Sequence, residues 1–151
     1  MAQFTAHTTA DAAPEQLLEV LTDPDAIRSW SPIPFEVEDL DSLRLEAGSR
    51  ARVSGSLAGK RVGFDIEVHA ADEGGLELTA EGPIGIDVLY ELEPTAGGSH
   101  VTASVGVRDG SGFSGRLLAQ ATGALLAGGA LDAAAGRIVR AAESSGLALA
   151  A

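Results

Sequence analysis

The sequence predicts an α+β fold: seven antiparallel strands in one curved sheet, with a long C-terminal helix lying against it. Three observations carry that expectation. Residues 35–107 read as short alternating runs separated by glycine-rich turns, the pattern of successive hairpins. Within those runs one phase is apolar and the other acidic, so the sheet is covered on one face only. From residue 113 the period changes to that of a helix, and an apolar stripe persists to about residue 144.

Taken in order, AQFTAHT (2–8) alternates as a first strand. A helix follows, with Asp11 near its cap, Pro14 in its first turn, and Glu15 at the positive end of its dipole. Leu17, Leu18, Val20 and Leu21 form its apolar stripe. A second short helix is expected within TDPDAIRSWSP (22–32), capped by Asp23, with Pro24 at its first position and the prolines at 32 and 34 ending it. It carries the only tryptophan, Trp30.

Six strands come next: FEVEDL, SRARVSGSL, VGFDIEVHA, LELTAE, IDVLYELE and HVTASVGV. Val62, Phe64, Ile66 and Val68 share the inward phase, opposite Asp65, Glu67 and His69. Ile84, Ile86, Val88, Tyr90 and Leu92 likewise oppose Asp87, Glu91 and Glu93. Wound at about 3.6 residues per turn, the C-terminal helix puts Phe113, Leu117, Ala121, Ala124, Gly128, Leu131, Ala135, Ile138 and Val139 on one side. Each of its glycines weakens it by about 1 kcal/mol relative to alanine. Packing must therefore hold it, and a bend is expected at Gly128-Gly129.

The 151 residues suffice for one domain, spanning 1–151, with a core that needs no disulfide or metal. There is no cysteine, and the formal net charge is −12 with a single lysine, Lys60. Such a surface repels nucleic-acid backbones and anionic lipid. The N-terminus lacks the basic and apolar regions of a signal peptide, and a soluble cytoplasmic monomer is expected. The stretch 117–136 has the length of a bilayer span, but Asp132 inside it would cost roughly 2.5–3.5 kcal/mol near a bilayer centre. A soluble helix is the better reading.

Candidate chemistry is sparse. GSGFSG (110–115) matches G-x-G-x-x-G, with Asp132 about 20 residues beyond its second glycine, as a dinucleotide site expects. That site also needs a second parallel strand after the helix, and none follows. The glycines instead suit a tight reversal from the last strand into the helix, and no cofactor is expected. His7, His69 and His100 fall on three different strands, without a third ligand to make a metal site of any two. Glu36 and Glu38 are placed to pair across strands with Arg50 and Arg52, a solvated arrangement contributing little. Asp23 and Asp25 are sufficiently explained as capping residues. Tyr90 points inward and needs a partner for its hydroxyl, either a core polar group or a ligand. Trp30 either lines a cavity entrance or plugs the core.

The block APEQLLEVLTDPDAIRSWSP (13–32) and the block GFSGRLLAQATGALLAGGAL (112–131) resemble START-like, Bet v 1-like (SRPBCC, helix-grip) proteins, in particular bacterial polyketide cyclase/dehydrase-type members. The second block is also similar to the carbon monoxide dehydrogenase branch of that superfamily. The resemblance covers essentially the whole chain and implies a sheet gripping the long helix, with an apolar cavity between them. On that expectation a small hydrophobic or aromatic, lipid- or polyketide-like molecule binds among Trp30, Phe64, Ile66, Ile86, Val88, Tyr90, Leu117, Ala121 and Ala124. The alternatives are a cyclase/dehydrase-like enzyme acting on such a ligand, whose catalytic residues the sequence does not identify, or an accessory protein assisting another enzyme.

Overall fold

The structure, a computed structural model, describes residues 2–27, 31, 35–57, 59–108, 110 and 112–150, with side chains described from Gln3 to Ser144. Strand β1 (Ala2–Ala10) leads into helix α1 (Pro14–Thr22). Strands β2 (Phe35–Leu40), β3 (Arg50–Leu57), β4 (Lys60–Asp72), β5 (Gly75–Glu81), β6 (Gly85–Thr95) and β7 (Gly98–Arg108) follow. The chain then forms α2 (Gly112–Leu125), a π-helical turn (Leu126–Ala130) and α3 (Leu131–Ala150).

The seven strands make one antiparallel sheet in the order β1-β7-β6-β5-β4-β3-β2. Short turns make β2 to β7 a meander, and β1 closes onto its far edge beside β7. Register shifts between Val37 and Asp39 and between Val68 and Ala70 interrupt the ladder. Such bulges bend a strand and increase its twist, which curves the sheet toward its apolar face. The expected phases hold there: Phe64, Val68, Ile84, Ile86, Tyr90 and Leu92 are all buried, and Ile66 and Val88 partly so.

At the start of α1 the cap differs from the expectation. Pro14 is the first helical residue, so Ala13 is the boundary, and its backbone N–H donates to Gln16 Oε1 at 2.9 Å. Asp11 lies beyond the cap, and its backbone N–H donates to Glu143 of α3 at 2.8 Å. At the other end, Arg44 donates to the Glu19 carbonyl and to Thr22 Oγ1, while Leu45 N–H donates to the Thr22 carbonyl at 2.9 Å. These bonds satisfy carbonyls that the helix itself leaves open, and they tie the β2–β3 loop to α1. The second short helix expected within 22–32 falls partly outside the described residues. Of that segment, Asp23 forms an Asx turn with Asp25 N–H at 2.9 Å, and Ser31 N–H donates to the Ile27 carbonyl at 2.9 Å.

The expected bend is present: Gly129 takes φ 101° and ψ 5°, outside the helical region. Beyond it the sequence stripe is correct, with Leu131, Ala135, Ile138 and Val139 buried. Before it the stripe is reversed. Phe113 is 75% exposed and Leu117 53%, while Gly115, Leu118, Ala119 and Thr122 are the buried residues of α2. A constant period carried across residues 126–130 misses the break, because the π turn and Gly129 turn the opposite face of α2 toward the sheet.

The pairing expected of Glu36 and Glu38 with Arg50 and Arg52 is also corrected. Glu36 stands opposite Ser54, and Glu38 sits at the register shift. Arg50 reaches Glu67 at 3.8 Å and Arg52 reaches Asp65 at 2.9 Å, both on β4, because β3 runs between β2 and β4.

Candidate functional site

The concave face of the sheet and the elements above it enclose a cavity of about 80 Å³. Its floor comes from five adjacent strands: Val53 of β3, Phe64 and Ile66 of β4, Leu78 and Ala80 of β5, Ile86, Val88 and Tyr90 of β6, and Val105 of β7. All are inward-phase residues. Its roof is Ile27, Ser31, Phe35, Leu45 and Leu126. Local bonds position each roof residue. The Asx turn and the Ser31–Ile27 bond set Ile27 and Ser31, and the loop tie to α1 sets Leu45. The Phe35 ring meets Phe64 edge-on, 5.3 Å between centroids at 67°.

Of the residues expected around a ligand, Phe64, Ile66, Ile86, Val88 and Tyr90 line this cavity. Leu117 and Ala124 are exposed on the outer side of α2, and Ala121 is half-buried away from the cavity. The long helix contributes one lining side chain, Leu126, and it does so from the π turn. Trp30 lies outside the described residues. Val53, Leu78, Ala80 and Val105 were legible from strand alternation. Leu45 and Leu126 were not: one belongs to a loop and the other to a break in the helical period.

The described lining is apolar apart from the Tyr90 and Ser31 hydroxyls and the backbone. Tyr90 is fully buried. Burial pushes its phenol well above the usual tyrosine range, with the positive charge of Arg137 opposing that shift in part. Arg137 of α3 donates to the Ser31 carbonyl at 3.3 Å, so a cation stands at the Ser31 edge of the roof. The other buried hydroxyls are turned inward on the protein: Thr122 to the Leu118 carbonyl at 2.8 Å and Ser99 to the Ala12 carbonyl at 2.6 Å. The cavity thus offers an apolar body with one neutral phenol as its hydrogen-bonding handle.

Elsewhere the remaining motifs resolve into structure. A Cβ on Gly110 would collide with the Pro83 carbonyl, and one on Gly115 with the Gly110 backbone. The GSGFSG glycines let the β7–α2 turn pack against the β5–β6 turn. His7 and His100 stack at 5.8 Å on β1 and β7, and His69 meets Thr79 Oγ1 at 3.0 Å. Among the described residues no group of three or more His, Cys, Asp or Glu is placed to hold a metal. The helical stretch Gly112–Ser144 is long and apolar enough to cross a bilayer by composition, and here it packs as the core helix of the grip.

A seven-stranded antiparallel sheet holding a long, broken C-terminal helix over an apolar cavity defines a helix-grip protein. The chain belongs to the family described as polyketide cyclase / dehydrase and lipid transport, whose pattern it matches over residues 1–143. No curated relative matches the sequence significantly. Among solved structures it is similar to TTHA0849 of Thermus thermophilus, at 18% identity and TM-score 0.70, covering 95% of this chain and 99% of that one. It is also similar to Ara h 8.0201, at 18% identity and TM-score 0.58, covering 92% and 98%. DynU16, from the dynemicin biosynthetic locus, matches at 20% identity and TM-score 0.61, covering 95% of this chain and 48% of that one. At these identities the likeness is one of fold.

Proposed function

We propose that the protein binds a small apolar or aromatic molecule in the cavity beneath Leu126, with Tyr90 donating a hydrogen bond to a polar atom of that ligand. The observation that carries this reading is the lining: nine inward residues from five strands around a void, with a single phenol among them. Native interiors are close-packed, and an apolar void with one polar handle is the usual form of a small-molecule site. The family description, which includes lipid transport, supports the same chemistry. Ala80→Phe tests it by putting a ring into the void from the floor. The variant is expected to keep its Tm within about 4 °C, the equivalent of about 1 kcal/mol, and to lose binding of N-phenyl-1-naphthylamine, a neutral apolar fluorophore. Wild-type protein that binds no apolar probe would overturn the reading.

A second reading is favoured by the position of Tyr90 near the charge of Arg137. In an enzyme of the cyclase/dehydrase kind, the neutral phenol would hydrogen-bond a substrate carbonyl and stabilise the developing enolate. Turnover of an aromatic polyketide that Tyr90→Phe abolishes, with binding retained, would favour it over simple binding.

A further inference from the structure

The described cavity is small. Its 80 Å³ falls below the ~300–1,000 Å³ of pockets for drug-sized ligands, and Leu126 closes it from the helix side. Leu126 stands on the π turn, immediately before the bend. Only one residue in that turn has non-helical dihedrals, Gly129 at φ 101°, and a Cβ there would meet nothing within 4 Å. At the far end of α2, Gly112 is also left-handed, at φ 74°, with open space around it. Helix α2 is thus suspended between two glycine joints.

Its faces are unusual as well. Phe113 is 75% exposed and Leu117 53%, two large apolar side chains in water, while the opposite face of the same helix is buried. On an unbroken helix at about 100° per residue, Phe113, Leu117, Ala121 and Ala124 would continue the buried face of Leu131, Ala135 and Ile138. Gln120 is the polar side chain that would accompany them. Straightening at Gly129 would carry Leu126 out of the roof and bring the small side chains of Ala121 and Ala124 over the cavity.

We infer that α2 is a two-position element: the described bent form plugs the cavity with Leu126, and a straightened form opens it to a larger ligand by turning Leu117, Ala121 and Ala124 inward. The inference rests on the proposed ligand-binding role for its purpose, but not for its test. π turns within α-helices occur often at functional sites, and packed helices exchange between discrete arrangements rather than deforming continuously. The bent form requires left-handed backbone at residue 129, which alanine disfavours by about 1–2 kcal/mol. The straightened form does not. Gly129→Ala therefore shifts the balance toward opening.

The chain has no cysteine, so single introduced thiols report the two faces. In the resting protein Leu117→Cys should react rapidly with a water-soluble disulfide reagent, and Thr122→Cys should be protected. Adding Gly129→Ala to each, with no ligand present, should reverse that order several-fold while circular dichroism shows the fold retained. Saturating N-phenyl-1-naphthylamine should produce the same reversal without Gly129→Ala. An unchanged order of reactivity in the folded Gly129→Ala background would overturn the two-position element whether or not any probe binds. A reversal in that background, together with wild-type protein that binds no probe, would uphold the two positions and sink the ligand-binding reading instead. A Gly129→Ala background that fails to fold is replaced by Gly129→Ser, which disfavours left-handed backbone in the same way, and the same outcomes decide.

Discussion

Tyr90 is the only tyrosine of the chain, and the fold removes it wholly from water at the floor of the cavity. Its raised pKa has a consequence for stability. The folded state holds the phenolic proton more tightly than the unfolded chain, whose tyrosine titrates near 10.0. Below that pH the contribution is fully present. Above it the unfolded chain loses its proton first, and stability falls by up to about 1.4 kcal/mol per pH unit from this group. Ultraviolet titration should accordingly show no tyrosinate signal in folded protein past pH 10, then a rise that coincides with unfolding. A smooth titration near 10 with the fold intact would show the phenol to be solvated. The inward phase of Tyr90 was legible from alternation in IDVLYELE, but the neighbouring charge of Arg137 was not, because it arrives from a helix 47 residues later in the chain.

At the scale of elements, the β7–α2 turn and the β5–β6 turn depend on each other. Arg108 bonds Glu81 at 2.6 Å and Asp87 at 3.0 Å across the sheet edge, and Gly110 and Gly115 allow the backbones to approach beneath. These ion pairs are partly exposed, so Arg108→Gln should cost no more than about 1 kcal/mol, a fall in Tm of about 2–4 °C. Gly110→Ala is different in kind. Its Cβ would meet a backbone carbonyl that cannot turn aside, and overpacking of this sort costs about 1–3 kcal/mol. Calorimetry that finds Gly110→Ala as stable as wild type would remove the close-approach explanation of GSGFSG. The motif's role as a turn was legible from the missing second strand. Which glycine bears the contact was not, since that depends on Pro83 in another hairpin.

Over the whole molecule, a net charge of −12 acts on a compact body with few cations to offset it. Arg50, Arg52 and Arg108 engage Glu67, Asp65, Glu81 and Asp87, all at partly exposed positions. Self-repulsion should thus exceed local pairing, and salt should stabilise. Raising sodium chloride from about 10 mM to about 200 mM shortens the screening length from about 30 Å to under 10 Å. Tm is expected to rise across that range, and a fall would mean that the ion pairs outweigh the net charge. Sedimentation at low protein concentration is expected to show a monomer, since the outward strand phases are acidic. A stable dimer would point instead to the exposed Phe113 and Leu117 of α2 as its contact.

The sequence alone determined the seven strands, their apolar phase, the first helix, and the change of period at residue 113. Each of these is local: alternation, turn chemistry and helical spacing act between residues close in the chain. It also determined that the helix must bend at Gly128-Gly129, because two adjacent glycines are the weakest point of any helical run. Only the tertiary structure decided what the bend does. The face that α2 buries follows from the dihedrals of Gly129 and from the contact of Gly110 with Pro83, and these exchange Leu117, Ala121 and Ala124 for Leu118, Thr122 and Leu126. The roof of the cavity, from Ile27, Ser31, Phe35 and Leu45, was likewise decided by long-range ties such as Leu45 N–H to the Thr22 carbonyl and Arg137 to Ser31. A period in the sequence reports which residues share a face, and only packing against the rest of the chain selects the face that turns inward.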